Sequence, residues 1–235
     1  MQLFKCRKCP HEGPIEEFAK DQRRKTPYEC KQCKGKRSRK HYDENKTVYA
    51  SRGPRRRFEA REVVNKIKTE NPCMDCGQKF HYCQMDFDHR DQDEKKKQVS
   101  YMLLHGIETI LNEVKKCDLV CANCHRDRTQ RQIEQLPKIE PGNYESQRLR
   151  DINLFVNSLK NNKICADCQL PHPYWRLDFD HRDHSQKFMT VSRMKLSKYS
   201  NRRILQEVAK CDLVCARCHR LRTFKRNREL RAGET

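Results

Sequence analysis

Six Cys-x-x-Cys pairs constrain the fold of this chain more than any other feature of its sequence. They form three sets of two, and the pairs of a set are separated by 20, 44 or 46 residues. Four cysteine sulfurs at such spacings can close a tetrahedral Zn²⁺ site that needs no further ligand. We therefore predict three structural zinc ions, held by Cys6, Cys9, Cys30 and Cys33, by Cys73, Cys76, Cys121 and Cys124, and by Cys165, Cys168, Cys215 and Cys218.

The composition favours several small units held by metal over one large apolar core. Of the 235 residues, 36% are charged and 35% are hydrophobic. The 15 cysteines are an odd number and lie mostly in Cys-x-x-Cys pairs. Both features favour metal ligands in a reducing compartment over disulfides. The first residues lack the apolar run of a signal peptide, and no later segment reads as a membrane span. The sequence therefore predicts a cytoplasmic zinc protein with no membrane partner.

The formal net charge of +20 predicts a polyanionic partner. Three four-thiolate zinc sites would lower this charge to about +14, which is still strongly basic. Residues 34–57 contain ten lysines and arginines against Asp43 and Glu44, in a stretch that we expect to be helical until Gly53-Pro54 breaks it. We interpret the stretch as an arm that follows nucleic-acid phosphates, with a solvated linker as the alternative. Its candidate DNA contacts are Arg37, Arg39, Lys40, Arg55, Arg56 and Arg57.

The rest of the chain is a tandem repeat. Asp-Phe-Asp-His-Arg-Asp occurs at 86–91 and again at 178–183, and the segments around it align at an offset of 92 and then of 94 residues. Each repeat opens with apolar residues at helical spacing, which we assign to the core. They are Val64 and Ile67 in the first repeat and Leu149, Ile152, Val156 and Leu159 in the second. The predicted units are a four-cysteine finger at 1–33, the basic arm at 34–56, repeats at 57–135 and 149–230, and a linker at 136–148.

Within a repeat, the residue pattern predicts two short strands and a helix. The alternation in Asp-Phe-Asp-His predicts a strand with Asp86 and Asp88 on one side. Leu-Val-Cys predicts a second strand, and a helix is expected from Ala122 with His125 in its first turn. If the helix packs across the strands, Asp88 and His125 face one another and suit a divalent cation such as Mg²⁺, Mn²⁺ or Zn²⁺. His89 could then take a proton from the attacking water.

The order Cys-x2-Cys, Asp-His, Cys-x2-Cys-His, over about 57–135 and 149–228, resembles the HNH (ββα-metal) endonucleases of phages and mobile elements. The resemblance implies a small zinc-stapled α+β protein, with two tandem ββα-metal domains behind an N-terminal zinc-ribbon or treble-clef unit. It implies hydrolysis of double-stranded DNA with one divalent cation per centre, Mg²⁺, Mn²⁺ or similar. A phage-encoded protein would act in the host cytoplasm, with other phage proteins as further partners. Motif position assigns the general bases to His89 and His181, the cation ligands to Asp88, His125, Asp180 and His219, and phosphate contacts to Arg126, Arg128, Arg220 and Arg222.

The chain departs from the family at one position and leaves some roles open. The middle Asn of the family is missing, and Asp118 and Asp212 are the candidate replacements. Asp86 and Asp178 could orient other ligands or be surface carboxylates. The histidines after the last cysteines could be spare zinc ligands, and Cys117 and Cys211 are interpreted as small buried side chains. The alternative functions are a regulatory or architectural zinc-finger DNA-binding protein without turnover, a nickase with one idle centre, or an RNA-cleaving enzyme.

Overall fold

The computed structural model describes residues 2–20, 29–137 and 142–232, and the chain forms two compact units, 1–59 and 60–235. The first unit begins with an antiparallel hairpin whose loop carries Cys6 and Cys9. Cys30 then caps the first helix, because its Sγ accepts the N–H of Cys33. The elements are β1 (Phe4–Lys5), β2 (Glu12–Gly13), a 3-10 turn (Ile15–Glu17) and α1 (Lys31–Glu44).

Helix α2 (Lys46–Glu70) follows after a single residue, Asn45. The prediction that Gly53-Pro54 breaks the helix was wrong, because Pro54 lies inside α2. A proline in a helix removes one N–H donor and strains one turn. The following turns of α2 bury Ala60 and Val64, and this packing stabilises the helix on the far side of the proline.

Each repeat contains an antiparallel strand pair followed by a helix, which confirms the predicted strands and the predicted helix start. The first repeat contains β3 (Met85–His89), α3 (Ile107–Val114), β4 (Cys117–Cys121) and α4 (Ala122–Gln135). The second contains α5 (Tyr144–Ser158), β5 (Leu177–His181), α6 (Val191–Leu196), α7 (Asn201–Val208), β6 (Cys211–Cys215) and α8 (Ala216–Ala232). Short 3-10 turns lie at Tyr82–Gln84, Val99–Tyr101, Tyr174–Arg176 and His184–Gln186. Of the predicted linker, residues 138–141 lie outside the described residues. No helix in the described ranges is long and apolar enough to cross a membrane.

The strand register places the candidate site residues. In the first repeat Asp88 pairs with Asp118 and Met85 with Cys121, and the second repeat has the same register. Cys121 ends β4 and caps α4, with its Sγ 3.5 Å from the backbone nitrogen of Cys124. The cysteine cluster therefore fixes where the strand pair ends and the helix begins.

Small apolar clusters complete each repeat. Val64, Ile152 and Val156 are buried as predicted. The other three apolar positions assigned to the core are only half-buried; they are Ile67, Leu149 and Leu159. Cys117 and Cys211 are also buried, and burial raises the pKa of both thiols to about 11. Thiols with so high a pKa are poor nucleophiles, which agrees with their interpretation as small core residues.

Candidate active site

Three clusters of four cysteines form as the sequence predicts. In each cluster the four sulfur atoms lie within 4.8 Å of one another, so each can hold one metal ion. Four sulfurs in a compact group are the donor set of a structural zinc site. Among residues 2–20, 29–137 and 142–232, no other group of three or more His, Cys, Asp or Glu side chains brings all its ligand atoms within that distance of one another.

His125 lies between two carboxylates, not in the cysteine cluster. Its Nδ1 is 2.9 Å from Asp86 Oδ2, and its Nε2 is 3.5 Å from Asp88 Oδ1. The hydrogen bond with Asp86 raises the pKa of His125. Burial acts to raise the pKa of Asp86, but hydrogen bonds from His125 and Arg220 outweigh it and lower this pKa to about 2. Asp86 is thus an ionised carboxylate that orients the imidazole, which favours the orienting role over that of a surface residue.

The pair formed by Asp88 and His125 has a donor set and spacing that fit one divalent cation. Two ligand atoms bound to the same ion at ordinary bond lengths lie about 3 Å apart. The 3.5 Å between Asp88 Oδ1 and His125 Nε2 is near that separation and long for a hydrogen bond. A carboxylate that fixes the other imidazole nitrogen is a common support of metal-bound histidines. Asp86 lies where such a supporting carboxylate would be, on Nδ1 of His125.

The second repeat reproduces this geometry. His219 Nδ1 is 3.0 Å from Asp178 Oδ2, and His219 Nε2 is 3.5 Å from Asp180 Oδ1. Hydrogen bonds from His219 and Arg126 outweigh burial and lower the pKa of Asp178 to about 2. The surroundings of Asp180 differ, however, because Arg226 also donates to both of its oxygens.

The two candidate general bases each pair with a buried glutamate. His89 Nε2 is 2.9 Å from Glu113 Oε1, and His181 Nε2 is 2.7 Å from Glu207 Oε1. Burial opposes ionisation, but hydrogen bonds to backbone and side-chain donors lower the pKa of both glutamates to about 2. The other ring nitrogen of His89, Nδ1, has no hydrogen-bond partner within the described residues. This atom keeps some contact with solvent. An ionised carboxylate on one ring nitrogen leaves the other available to act on a proton.

His89 and the pair formed by Asp88 and His125 border one cavity of about 670 Å³. Cationic side chains line the same cavity, among them Lys68 and Arg220. Residues 89 and 125 reach it from different elements, since His89 ends β3 and His125 lies in the first turn of α4. The strand register thus brings the predicted base and the predicted ligands to one place.

The arginines assigned to phosphates are all paired with carboxylates. Arg128 donates to Asp75, Asp88 and Asp118, and it is about one-fifth exposed. The equivalent Arg222 pairs with Asp167, Asp180 and Asp212, and Arg126 and Arg220 pair with Asp178 and Asp86. Phosphate binding by these four arginines stays a prediction, and it would require exchange of an existing partner.

Asp118 and Asp212, the candidate replacements for the missing Asn, lie beside the cation ligands. Asp118 is opposite Asp88 in the strand register, and a single nitrogen of Arg128 bridges the two carboxylates at 2.8 and 3.2 Å. Arg90 donates to the other oxygen of Asp118 at 3.1 Å. In the structure Asp118 is therefore linked to Asp88 through Arg128, and direct ligation by Asp118 stays a prediction.

In the basic arm, the candidate contacts lie on exposed helix surface. Arg37 pairs with Glu29, Lys40 with Glu44 at 3.8 Å, and Arg55 with Glu59 at 3.3 Å. All six predicted residues of the arm are exposed, including Arg39, Arg56 and Arg57. The pairs of Lys40 and Arg55 are exposed ion pairs, which are weak. Glu29, in contrast, is buried and accepts hydrogen bonds from two nitrogens of Arg37.

The two repeats contact each other reciprocally. Arg126 of the first repeat is 2.6 Å from Asp178 of the second, and its counterpart Arg220 is 2.5 Å from Asp86. The backbone N–H of Arg217 donates to the side-chain oxygen of its own counterpart, Asn123, at 3.2 Å. Equivalent residues that meet one another mark a local two-fold axis. An arginine of each repeat therefore contacts the carboxylate with which the other repeat orients its own histidine.

Comparison with known proteins adds no identification. None of the protein-family models, curated proteins or solved structures compared with the chain matches it. The resemblance to HNH endonucleases therefore stays a prediction that rests on the motif order.

Sequence reasoning assigned no role to four residues that shape the site. Glu113 and Glu207 occupy matching positions in the two repeats, so the repeat itself carried a signal for them. The sequence assigned the interface arginines, Arg126 and Arg220, to DNA. Their contacts with the other repeat were missed because spacing alone does not show which way a side chain points. Arg226 and Gln132 occupy matching positions with different chemistry, and nothing in the sequence marks either as part of a site.

Proposed function

We propose that the chain is a divalent-cation-dependent DNA endonuclease of the HNH type, with the residues of a hydrolytic centre in each repeat. The observation that most supports this is a histidine held by one carboxylate so that its other nitrogen lies 3.5 Å from a second. That geometry occurs in both repeats, each time with a histidine–glutamate pair at the end of the same strand. A buried structural ion pair alone would not require the second carboxylate.

In the first repeat, each site residue would have a distinct role in hydrolysis. Asp88 Oδ1 and His125 Nε2 would hold the cation, and Asp86 would keep His125 in the required orientation. The bound cation would polarise the phosphodiester and stabilise charge on the leaving oxygen. His89 would accept the proton of the attacking water at Nδ1, while Glu113 holds Nε2 and stabilises the imidazolium that results.

DNA is the proposed substrate because of the charge around the site and along the arm. The cavity that contains His89 and His125 is also lined by Arg61, Lys95 and Arg228. The exposed basic helices of residues 31–57 add further positive charge. Such surfaces bind polyanions by releasing counterions, and binding weakens steeply as salt rises.

Cleavage of a supercoiled plasmid by the zinc-loaded chain tests the proposal. We expect nicking, and then linearisation, with Mg²⁺ or Mn²⁺ but not in brief EDTA. The double variant His89→Ala, His181→Ala should keep three zinc ions and bind DNA without cutting it. His105→Ala, which changes an exposed histidine outside the cavity, is the matched control and should cleave normally. Full cleavage by the double variant would show that these histidines are not the general bases.

A DNA-binding protein without turnover is the second candidate function. The observation that favours it is the pairing of all four interface and helix arginines with site carboxylates, which leaves less negative charge for a cation. Tight, salt-sensitive DNA binding with no scission under any divalent cation would support this function over hydrolysis.

A further inference from the structure

Two side chains beside Asp180 have no equivalent beside Asp88. His184 Nε2 lies 4.0 Å from Asp180 Oδ1, where the first repeat has Gln92, and Arg226 makes the stronger contact. Asp180 of the second repeat accepts hydrogen bonds from both terminal nitrogens of Arg226, at 3.0 and 3.1 Å. At the matching position in the first repeat the chain has Gln132. Gln132 lines an opening of about 430 Å³ together with Asp88 and His89. The Arg226 guanidinium therefore contacts the candidate site of the second repeat, and the first repeat has no arginine at that position.

The arginine also removes Asp180 from solvent. The side chain of Asp180 is 2% exposed, whereas that of Asp88 is 11% exposed. Each terminal nitrogen of Arg226 donates to one oxygen of Asp180, so the positive guanidinium lies directly against this carboxylate. A two-pronged guanidinium–carboxylate pair is among the stronger polar contacts in proteins.

A cation bound by Asp180 and His219 would share a ligand atom with this arginine. The oxygen of Asp180 that lies 3.5 Å from His219 Nε2 is the same Oδ1 that Arg226 Nη2 contacts at 3.1 Å. A metal ion on that oxygen would come close to the positive guanidinium, and charges so close together repel strongly. In the first repeat, Asp88 Oδ1 faces His125 and only the other oxygen pairs with an arginine, Arg128.

We infer that Arg226 takes the place of the cation in the second repeat, so that the chain binds one catalytic cation, at Asp88 and His125. The second repeat then keeps the architecture of a hydrolytic centre with its cation site closed. One chain would cut one strand at a time. Arg226 thereby becomes the residue that sets the difference between the two centres.

Counting bound Mn²⁺ on the full zinc-loaded chain tests the inference, for example by electron paramagnetic resonance of the free ion. The wild-type chain is expected to bind one Mn²⁺. Arg226→Gln should bind two, and the added site should disappear again in Arg226→Gln, Asp180→Asn. Gln132→Arg, the mirror substitution, should weaken the first site on the order of 100-fold. Three zinc ions per chain and an unchanged circular dichroism spectrum serve as the folding control for every variant.

The inference rests on the proposed function only for the role that the cation has in hydrolysis, and the two can fail separately. Two Mn²⁺ ions of similar affinity on the wild-type chain would overturn the inference and leave the endonuclease proposal intact. A count that stays at one in Arg226→Gln would also overturn it. One Mn²⁺ per chain without cleavage of any DNA would support the inference and count against the endonuclease proposal.

Discussion

At the scale of single residues, the proposed cation site depends on the orientation of one imidazole. A histidine ring has two chemically distinct nitrogens, and the partner of one decides what the other can do. Asp86 holds Nδ1 of His125 at 2.9 Å, so Nε2 is directed towards Asp88. The second repeat arranges Asp178, His219 and Asp180 in the same way.

The substitution Asp86→Asn should weaken Mn²⁺ binding at the first repeat by about 10- to 100-fold. An amide can no longer act as an ionised acceptor for His125, so the ring loses its fixed orientation and part of its basicity. Titration of the zinc-loaded chain with Mn²⁺ measures the effect. Asp93→Asn, at an exposed position in the same repeat, is the control and should bind as the wild type does. Unchanged affinity in Asp86→Asn would show that the carboxylate has no orienting role.

How much of the site could be foreseen differs from residue to residue. Asp88 and His125 could be placed together, because strand alternation and the helix start fix the side on which each lies. Glu113 could not be paired with His89 in this way, since it lies on a separate helix, α3, whose packing the local pattern does not determine. The same reason applies to Arg226, which reaches Asp180 from 46 residues away along the chain.

At the scale of elements, the cysteine clusters join strands to helices in units that have only small apolar cores. Cys121 terminates β4, caps α4 and belongs to a four-sulfur group, so the metal would tie a strand end to a helix start. His125 lies only one turn further along α4. The strands and helix starts were predictable because cysteine spacing and alternation both mark them. Continuation of α2 through Pro54 was not, since it depends on burial of later turns against distant residues.

Replacement of Cys121 by Ala should lower the zinc content from three ions to two and unfold the strand pair and α4 of the first repeat. Structural zinc sites contribute on the order of 10 kcal/mol to the folded state, more than a small unit can lose. Metal analysis and hydrogen exchange across β3, β4 and α4 measure both effects. Cys83→Ser, which changes a cysteine outside the clusters, should retain three zinc ions. Retention of three ions by Cys121→Ala would contradict the assignment of this ligand.

At the scale of the whole second unit, the two repeats share their electrostatics. Arg126 and Arg220 each leave their own repeat to pair with the carboxylate that orients the histidine of the other. Trp175 and Arg176 also contact Asp127 across the interface, at 2.9 and 2.7 Å. These contacts could not be predicted from one repeat, because nothing in a local pattern shows which surface faces a second copy.

A double-mutant cycle of Arg126→Ala and Asp178→Asn should give a coupling energy of about 1 kcal/mol, because the pair is charge-assisted but partly exposed. Chemical unfolding of the zinc-loaded chain supplies the four free energies. The cycle of Arg131→Ala with Asp178→Asn is the control, since the Arg131 side chain bonds the backbone of its own helix instead. A coupling energy of zero for the first cycle would mean that the contact does not join the repeats energetically.

The two halves related by the local two-fold axis belong to one polypeptide, so they can differ in sequence. In a homodimer every substitution appears twice, so a change that closes one centre closes both. In a tandem chain the halves are encoded separately, and Gln132 and Arg226 can differ while the contacts around them stay reciprocal. Covalent linkage also fixes the ratio of the two halves at one to one at any protein concentration. The fold can thus combine a symmetric scaffold with two chemically unequal halves, an arrangement that a dimer of identical subunits cannot maintain.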